Sequence, residues 1–163
     1  MLGYPGAGKT TVAKIISHLS GAVHLWADHE RREIFGTPTY SHEENLHLYN
    51  QLNDEASRLL AAGQSVIYDT NFNYYRDREL LRKIAATQHA QTVLVWLTIE
   101  KDLALQRATD SPHTQSTRVL GNMPVETFNH ITDQFETPQA NERTVVLDGT
   151  KIAPDYVAKM LGL

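Results

Sequence analysis

Residues Gly3 to Thr10 read G-Y-P-G-A-G-K-T, a run in which every residue type has a use if the partner is a polyphosphate. Gly6 and Gly8 carry no Cβ to hold phosphate oxygens away from the backbone N–H groups, that of Ala7 among them. The helical pattern that follows adds the positive end of its dipole. Lys9 is placed to bridge the β- and γ-phosphates, and Thr10 to offer its hydroxyl to Mg²⁺ between them. Thr11 is placed to bond toward the α-phosphate, although a first-turn polar residue without that role would look the same. The ligands this pattern implies are ATP and Mg²⁺.

Two further clusters lie at the ends of apolar runs. In L-W-A-D-H-E-R-R, Asp28 and Arg31 share one face if a helix begins at Asp28. In V-I-Y-D-T-N-F-N, Asp69, Thr70 and Asn71 close another strand-like stretch. Phosphoryl transfer needs an acceptor oxygen held in line with the phosphorus and relieved of its proton, which a carboxylate beside a phosphate loop can do. Plainer roles fit the same residues. Asp28 reads equally as an N-cap paired locally with Arg31, and Asn71 or Asn73 as the cap of a helix starting at Tyr74. The basic residues Arg76, Arg78, Arg82 and Lys83 read as a solvated helix face, with contact to a phosphorylated acceptor as the sharper alternative. After Arg107, A-T-D-S-P-H-T-Q-S-T-R shows no apolar periodicity and reads as a lid.

With these motifs the chain resembles the P-loop kinase group that includes the kinase domain of phage polynucleotide kinase, zeta-toxin kinases and chloramphenicol phosphotransferase, and the polynucleotide kinase type most of all. The resemblance implies that Asp28 of the D-x-x-R element is the general base on the acceptor hydroxyl and that Arg31 contacts the acceptor's own phosphate. It implies that Asp69 of D-T-N organises Mg²⁺ through water or orients Lys9 and Thr10, with Thr70 and Asn71 facing the acceptor. It also implies a lid over about residues 107–123, whose Arg107 and Arg118 close over ATP and stabilise charge on the moving phosphoryl group. The stretch between these arginines is longer than the usual pattern. Phe128, Ile131 and Phe135, before F-E-T-P, are expected to be packing residues.

These residues need a scaffold of alternating strands and helices. Strands are predicted at Ala22 to Ala27, Ser65 to Thr70, Thr92 to Ile99 and Thr144 to Asp148. Helices are predicted at Lys9 to Leu19, Ser41 to Ala62, Tyr74 to His89, Lys101 to Ala108, Val125 to Phe135 and Pro154 to Leu161. In the second of these, Ser41 and Glu44 read as a capping box, Leu46, Tyr49, Leu52 or Asn53, Ala56, Leu59 and Leu60 as the stripe at helical spacing, and Gly63 as the stop. The expected fold is α/β, a three-layer P-loop NTPase fold with a parallel sheet of about five strands and helices on both faces, forming one domain over residues 1–163. Only Met1 and Leu2 precede Gly3, so the first strand is largely truncated and its neighbours are expected to present unpaired edges. A misassigned start, a trimmed chain or a weakly anchored loop would each account for that.

The 163-residue chain has no cysteine, which excludes disulfides, thiolate metal sites and cysteine nucleophiles. Its formal charge of −4 disfavours extended nucleic-acid binding while leaving a nucleic-acid end possible. No run is long enough to span a bilayer and no signal-peptide order opens the chain, so a cytoplasmic location without membrane contact is expected. No obligate protein partner is evident, and neither H-E-x-x-H nor G-x-S-x-G occurs. The expected activity is ATP-dependent transfer of the γ-phosphate to a hydroxyl of a small molecule, a nucleotide or a 5′-hydroxyl nucleic-acid end. The alternative is an ATP-binding regulator or slow NTPase that transfers no phosphate.

Overall fold

The computed structural model describes residues 1–109 and 123–163. Within them run α1 (Lys9–Ser20), β1 (Val23–Trp26), α2 (Ala27–Phe35), α3 (His42–Ala61), β2 (Val66–Asp69), α4 (Tyr75–Thr87), β3 (Leu94–Thr98), α5 (Lys101–Thr109), α6 (Val125–Asp133), β4 (Thr144–Asp148) and α7 (Pro154–Leu161). The bounds of β4 and α7 are those predicted, and the other predicted elements shift by two residues or fewer. The addition is α2, which begins at Ala27 directly out of β1 with Trp26 as its N-cap. Asp28 therefore lies in the first turn and does not cap the helix.

The sheet is parallel and falls into two pairs, β1 with β2 and β3 with β4, where about five strands were expected. Met1 and Leu2 fill the central position between the pairs. Leu2 donates its N–H to Val95 O at 2.8 Å and accepts from Leu97 N at 2.9 Å, while the Met1 amine donates to Tyr68 O at 3.0 Å. The predicted open edges are thus met at this level of the sheet. Beside Met1, the starts of β2 and β3 border a cleft lined by Val66, Tyr68, Val93 and Leu94.

Side-chain alternation along the strands divides the core into layers. Ile67 joins Val12 and Ala13 of α1 and Val157 of α7 on one face. Leu25, Val66 and Tyr68 pack on the opposite face against Leu48, Leu52, Ala56 and Leu59 of α3. That buried stripe is not quite the predicted one, because Leu46 is exposed; the turn-by-turn spacing from Leu48 is what faces the sheet. Ser41 Oγ accepts the Glu44 N–H at 3.2 Å. At the other end Gly63, at φ 74°, lets Gln64 N reach back to Leu59 O at 3.0 Å.

A third cluster gathers Ala104 and Ala108 of α5 with Phe128 of α6 around Tyr4. Phe135 completes it, its ring 5.3 Å from that of Tyr4 and 6.1 Å from that of Trp96. Asn73, read as a possible cap for α4, instead donates its side-chain amide to Ile131 O at 2.8 Å, and the N-cap of α4 is Tyr74. The α4 basic cluster is divided: Arg76 and Lys83 are exposed, as a solvated face has them, while Arg78 and Arg82 are tied to other segments. Arg78 is buried on Glu142, Arg82 donates to Asn141 O and the Tyr75 hydroxyl, and Lys83 pairs with Glu79. Among the described residues, no helix is long and apolar enough to cross a membrane.

Candidate functional site

The Gly3–Thr10 loop leaves Leu2, turns, and enters α1. Gly6 sits at φ 83°, and a Cβ there would lie 2.3 Å from Ala104 O, so α5 closes directly against the bare backbone. Gly8 is the N-cap of α1 in the left-handed conformation; no side chain caps the helix and no acidic residue occupies its first turn. The N-terminal N–H groups of α1 are therefore left to an external anion, which is the feature a phosphate needs. Ala7 is buried in the loop and Thr11 half-buried in the first turn. Lys9 Nζ donates to Gly3 O at 2.8 Å and Tyr4 O at 3.1 Å. Burial pulls its ammonium below the usual lysine range, opposed by the charges of Asp69 and Asp28.

Asp69 ends β2 and is 3% exposed. Its carboxylate lies 3.0 Å from His24 Nε2. Burial would raise this carboxyl, but the His24 contact, the amino terminus and Thr10 together hold it below the ordinary aspartate range. A hydroxyl and an ionised carboxylate are the oxygen donors that Mg²⁺ prefers. Thr10 and Asp69 are thus the residues fit to hold the metal, directly or through water.

Asp28 is exposed in the first turn of α2. Partial desolvation, and then the negative charge of Asp69, raise its carboxyl above the usual range, against the pull of Lys9 and Arg31. The three groups Lys9, Asp69 and Asp28 therefore act on one another electrostatically. Arg31 is 3% exposed and makes its ion pair with Glu44, Nη1 to Oε1 at 2.7 Å, rather than with Asp28. Its Nη2 donates to Asn45 Oδ1 at 2.7 Å, the Tyr40 ring covers it at 4.8 Å, and its buried Nε has no partner. Burial would raise the Glu44 carboxyl, but hydrogen bonds from Thr39 N–H, Arg31 and the Thr39 hydroxyl hold it down at about 2.

The remaining predicted residues are more scattered. Thr70 exchanges a hydrogen bond with the Tyr49 hydroxyl at 2.9 Å, and Asn71 is exposed. Arg107 Nη1 donates to Gly149 O at 2.9 Å, at the turn after β4. Arg118 and most of the predicted lid lie outside the described residues. Sequence reading missed His24 and Glu44. A histidine within an otherwise apolar strand, two positions from Trp26 on the same face, was the available signal for the first; the second was read only as half of a capping box.

A family model described as an AAA domain matches residues 1–138. Over 103 residues the chain is 32% identical to an uncharacterized protein of Mycobacterium tuberculosis, a stretch covering 56% of this chain and 21% of that protein. The chain thus spans about a fifth of the length of the curated relatives it matches. Among solved structures, it resembles an unliganded sugar kinase from Janibacter sp. with a TM-score of 0.69 and 18% identity, covering 98% of this chain and 88% of that one. It also resembles a gluconokinase from Sinorhizobium meliloti with a TM-score of 0.67 and 19% identity, covering 99% and 87%. The fold is that of P-loop kinases, an α/β arrangement of parallel strands with helices on both faces.

Proposed function

The chain belongs to the AAA domain family, and from that premise we propose that it is a P-loop kinase, transferring the γ-phosphoryl group of ATP to a hydroxyl-bearing acceptor. The observation that carries this reading is the placement of Asp28, a carboxylate of raised proton affinity, within electrostatic reach of Lys9 and Asp69 beside an uncapped helix N-terminus. Bound Mg²⁺ would supply charge neutralisation between the phosphates. The loop N–H groups hold phosphate oxygens, and Lys9 exchanges its two loop carbonyls for the β- and γ-phosphates. Thr10 and Asp69 present oxygen donors to the metal. Asp28 accepts the acceptor's hydroxyl proton as the new O–P bond forms and the bond from the γ-phosphorus to the β,γ-bridging oxygen breaks, leaving ADP. A base of raised proton affinity suits this step better than an ordinary surface aspartate does.

For the acceptor, the polynucleotide kinase likeness supports a nucleotide or a 5′-hydroxyl end, while the sugar kinase and gluconokinase similarities support a small polyol. The unpartnered Nε of Arg31 supports a donor role toward an acceptor anion. Asp28→Asn tests the reading. Transfer to the best acceptor in a screen of sugars, hydroxy acids, nucleosides and short oligonucleotides should fall by about 10²- to 10⁴-fold, with stabilisation by Mg-ATP retained. Unchanged turnover would remove Asp28 from the mechanism, and ATP binding without transfer to any acceptor would favour a nucleotide-binding regulator. In the active enzyme, the acid limb of kcat/KM should lie above the ordinary aspartate value of 3.8, because Asp28 loses its basic form on protonation at a raised pH.

A further inference from the structure

β1 is a short strand in which Leu25 packs toward α3, while His24 and Trp26 face α1 by the alternation of the pleat. An imidazole there is unusual, since apolar side chains would fill the space without needing a hydrogen-bond partner. His24 finds that partner diagonally across the ladder. The register sets His24 beside Ile67 and Trp26 beside Asp69, and His24 Nε2 lies 3.0 Å from Asp69 Oδ2, with the two side chains 14% and 3% exposed. An ionised carboxylate only accepts, so Nε2 carries the hydrogen. The ring plane is fixed as well, because His24 stacks on Trp26 at 6.0 Å and 6°, Trp26 stacks on His29 at 5.5 Å, and the Lys14 ammonium covers the indole at 4.7 Å.

We infer that His24 is a positioning residue for the phosphate loop, holding the Asp69 carboxylate at the end of β2 and keeping it from turning onto Lys9. This rests on the kinase reading above and concerns a residue that touches neither nucleotide nor acceptor. Asp69 lies within electrostatic reach of the Lys9 ammonium. Without a donor on Oδ2, a buried carboxylate rotates toward the nearest cation, and an Asp69–Lys9 pair would withdraw the ammonium from its phosphates. With His24 present, Lys9 rests on the carbonyls of Gly3 and Tyr4, from which it is easily released. Partners of this outer kind typically change metal affinity or activity by about 10- to 100-fold when removed.

The test compares His24→Phe, which keeps a ring against Trp26 but loses the donor, with His24→Gln, whose amide can restore it. Mn²⁺ binding in the presence of ADP, read by electron paramagnetic resonance, gives a measure independent of turnover. His24→Phe should weaken Mn²⁺–ADP binding about tenfold and lower kcat by about tenfold or more, with little change in acceptor KM, and His24→Gln should recover most of both. In an Asp69→Asn background, His24→Phe should cost nothing further, a comparison that stays decisive if the single Phe variant folds poorly. Wild-type Mn²⁺–ADP affinity in a His24→Phe chain whose thermal stability alone has dropped would overturn the proposal and leave the kinase reading intact. Absence of Mn²⁺–ADP binding in the unsubstituted chain would overturn both.

Discussion

Among the described residues, Arg31–Glu44 and Arg78–Glu142 are both buried arginine–glutamate pairs, closing at 2.7 and 2.8 Å. They sit in different neighbourhoods. Arg78 uses every nitrogen: Nε and Nη2 reach the two oxygens of Glu142, and Nη1 reaches Phe72 O at 2.9 Å. It ties α4 to the chain entering β4 and to the segment after Asn71, and nothing is left over. Arg31 is fixed by Glu44 and Asn45 but keeps Nε bare, one helical turn from Asp28. An orphaned donor does not mark a ligand by itself, since Arg82 also leaves Nε without a partner. What distinguishes Arg31 is the combination of a bare donor and a proton acceptor on one helix face. One pair is saturated within the fold, and the other keeps a buried donor unused.

The contrast can be broken most forcefully at Arg78. Arg78→Ala leaves Glu142 charged and buried, and should cost about 3–5 kcal/mol, lowering the melting temperature by about 10 °C. At temperatures where the variant remains folded, its affinity for Mg-ATP should be unchanged. Arg31→Lys keeps a charge opposite Glu44 but removes Nε, and kcat/KM for the acceptor should fall by about 10- to 100-fold, the worth of one hydrogen bond to a charged group. The KM for ATP should hold. Unchanged kcat/KM would make the two pairs equivalent.

The acid side of the stability curve sharpens the comparison further. Glu142 is held below its usual range by Arg78 and the Gln139 N–H against the opposing effect of burial, and Glu44 is held down at about 2. Both are depressed in the folded state, so their contributions are fully present above the ordinary glutamate value of 4.5 and disappear as pH falls toward 2. Urea midpoints measured between these limits should fall, and Glu44→Gln should flatten part of that fall. The smallest effect is expected at Asn73→Ala, which removes the bond to Ile131 O and should cost about 1 kcal/mol by chemical denaturation.

Local chemistry was readable along the chain. The phosphate loop, the Ser41 cap, the Gly63 stop and the bounds of β4 and α7 each depend on residues within one or two turns of one another. The pairings that decide side-chain roles were not readable in the same way. Arg31 read as a local partner of Asp28 or a contact for the acceptor's phosphate, and Glu44 only as half of a capping box, yet the Glu44 side chain meets Thr39 and Arg31. Asn73 had the composition of a cap but is drawn off by a carbonyl 58 positions away. His24 and Asp69 stand 45 positions apart, and only the register of β1 on β2 brings them together. The short first strand suggested open edges, and Leu2 bonds both ways to β3 because two residues suffice to reach the level of the sheet where the loop begins.

The two tryptophans of the chain fall on opposite sides of Met1 and Leu2. Trp26 belongs to the half that carries Asp28 and is stacked between imidazoles, while Trp96 belongs to the half that carries α5 and α6 and leans on Phe135. Imidazole quenches indole emission far more than a phenyl ring does, so the two sides of the molecule have separate optical signatures. Single Trp26→Phe and Trp96→Phe chains would each leave one tryptophan, so that either half of the molecule could be followed by itself with no label attached.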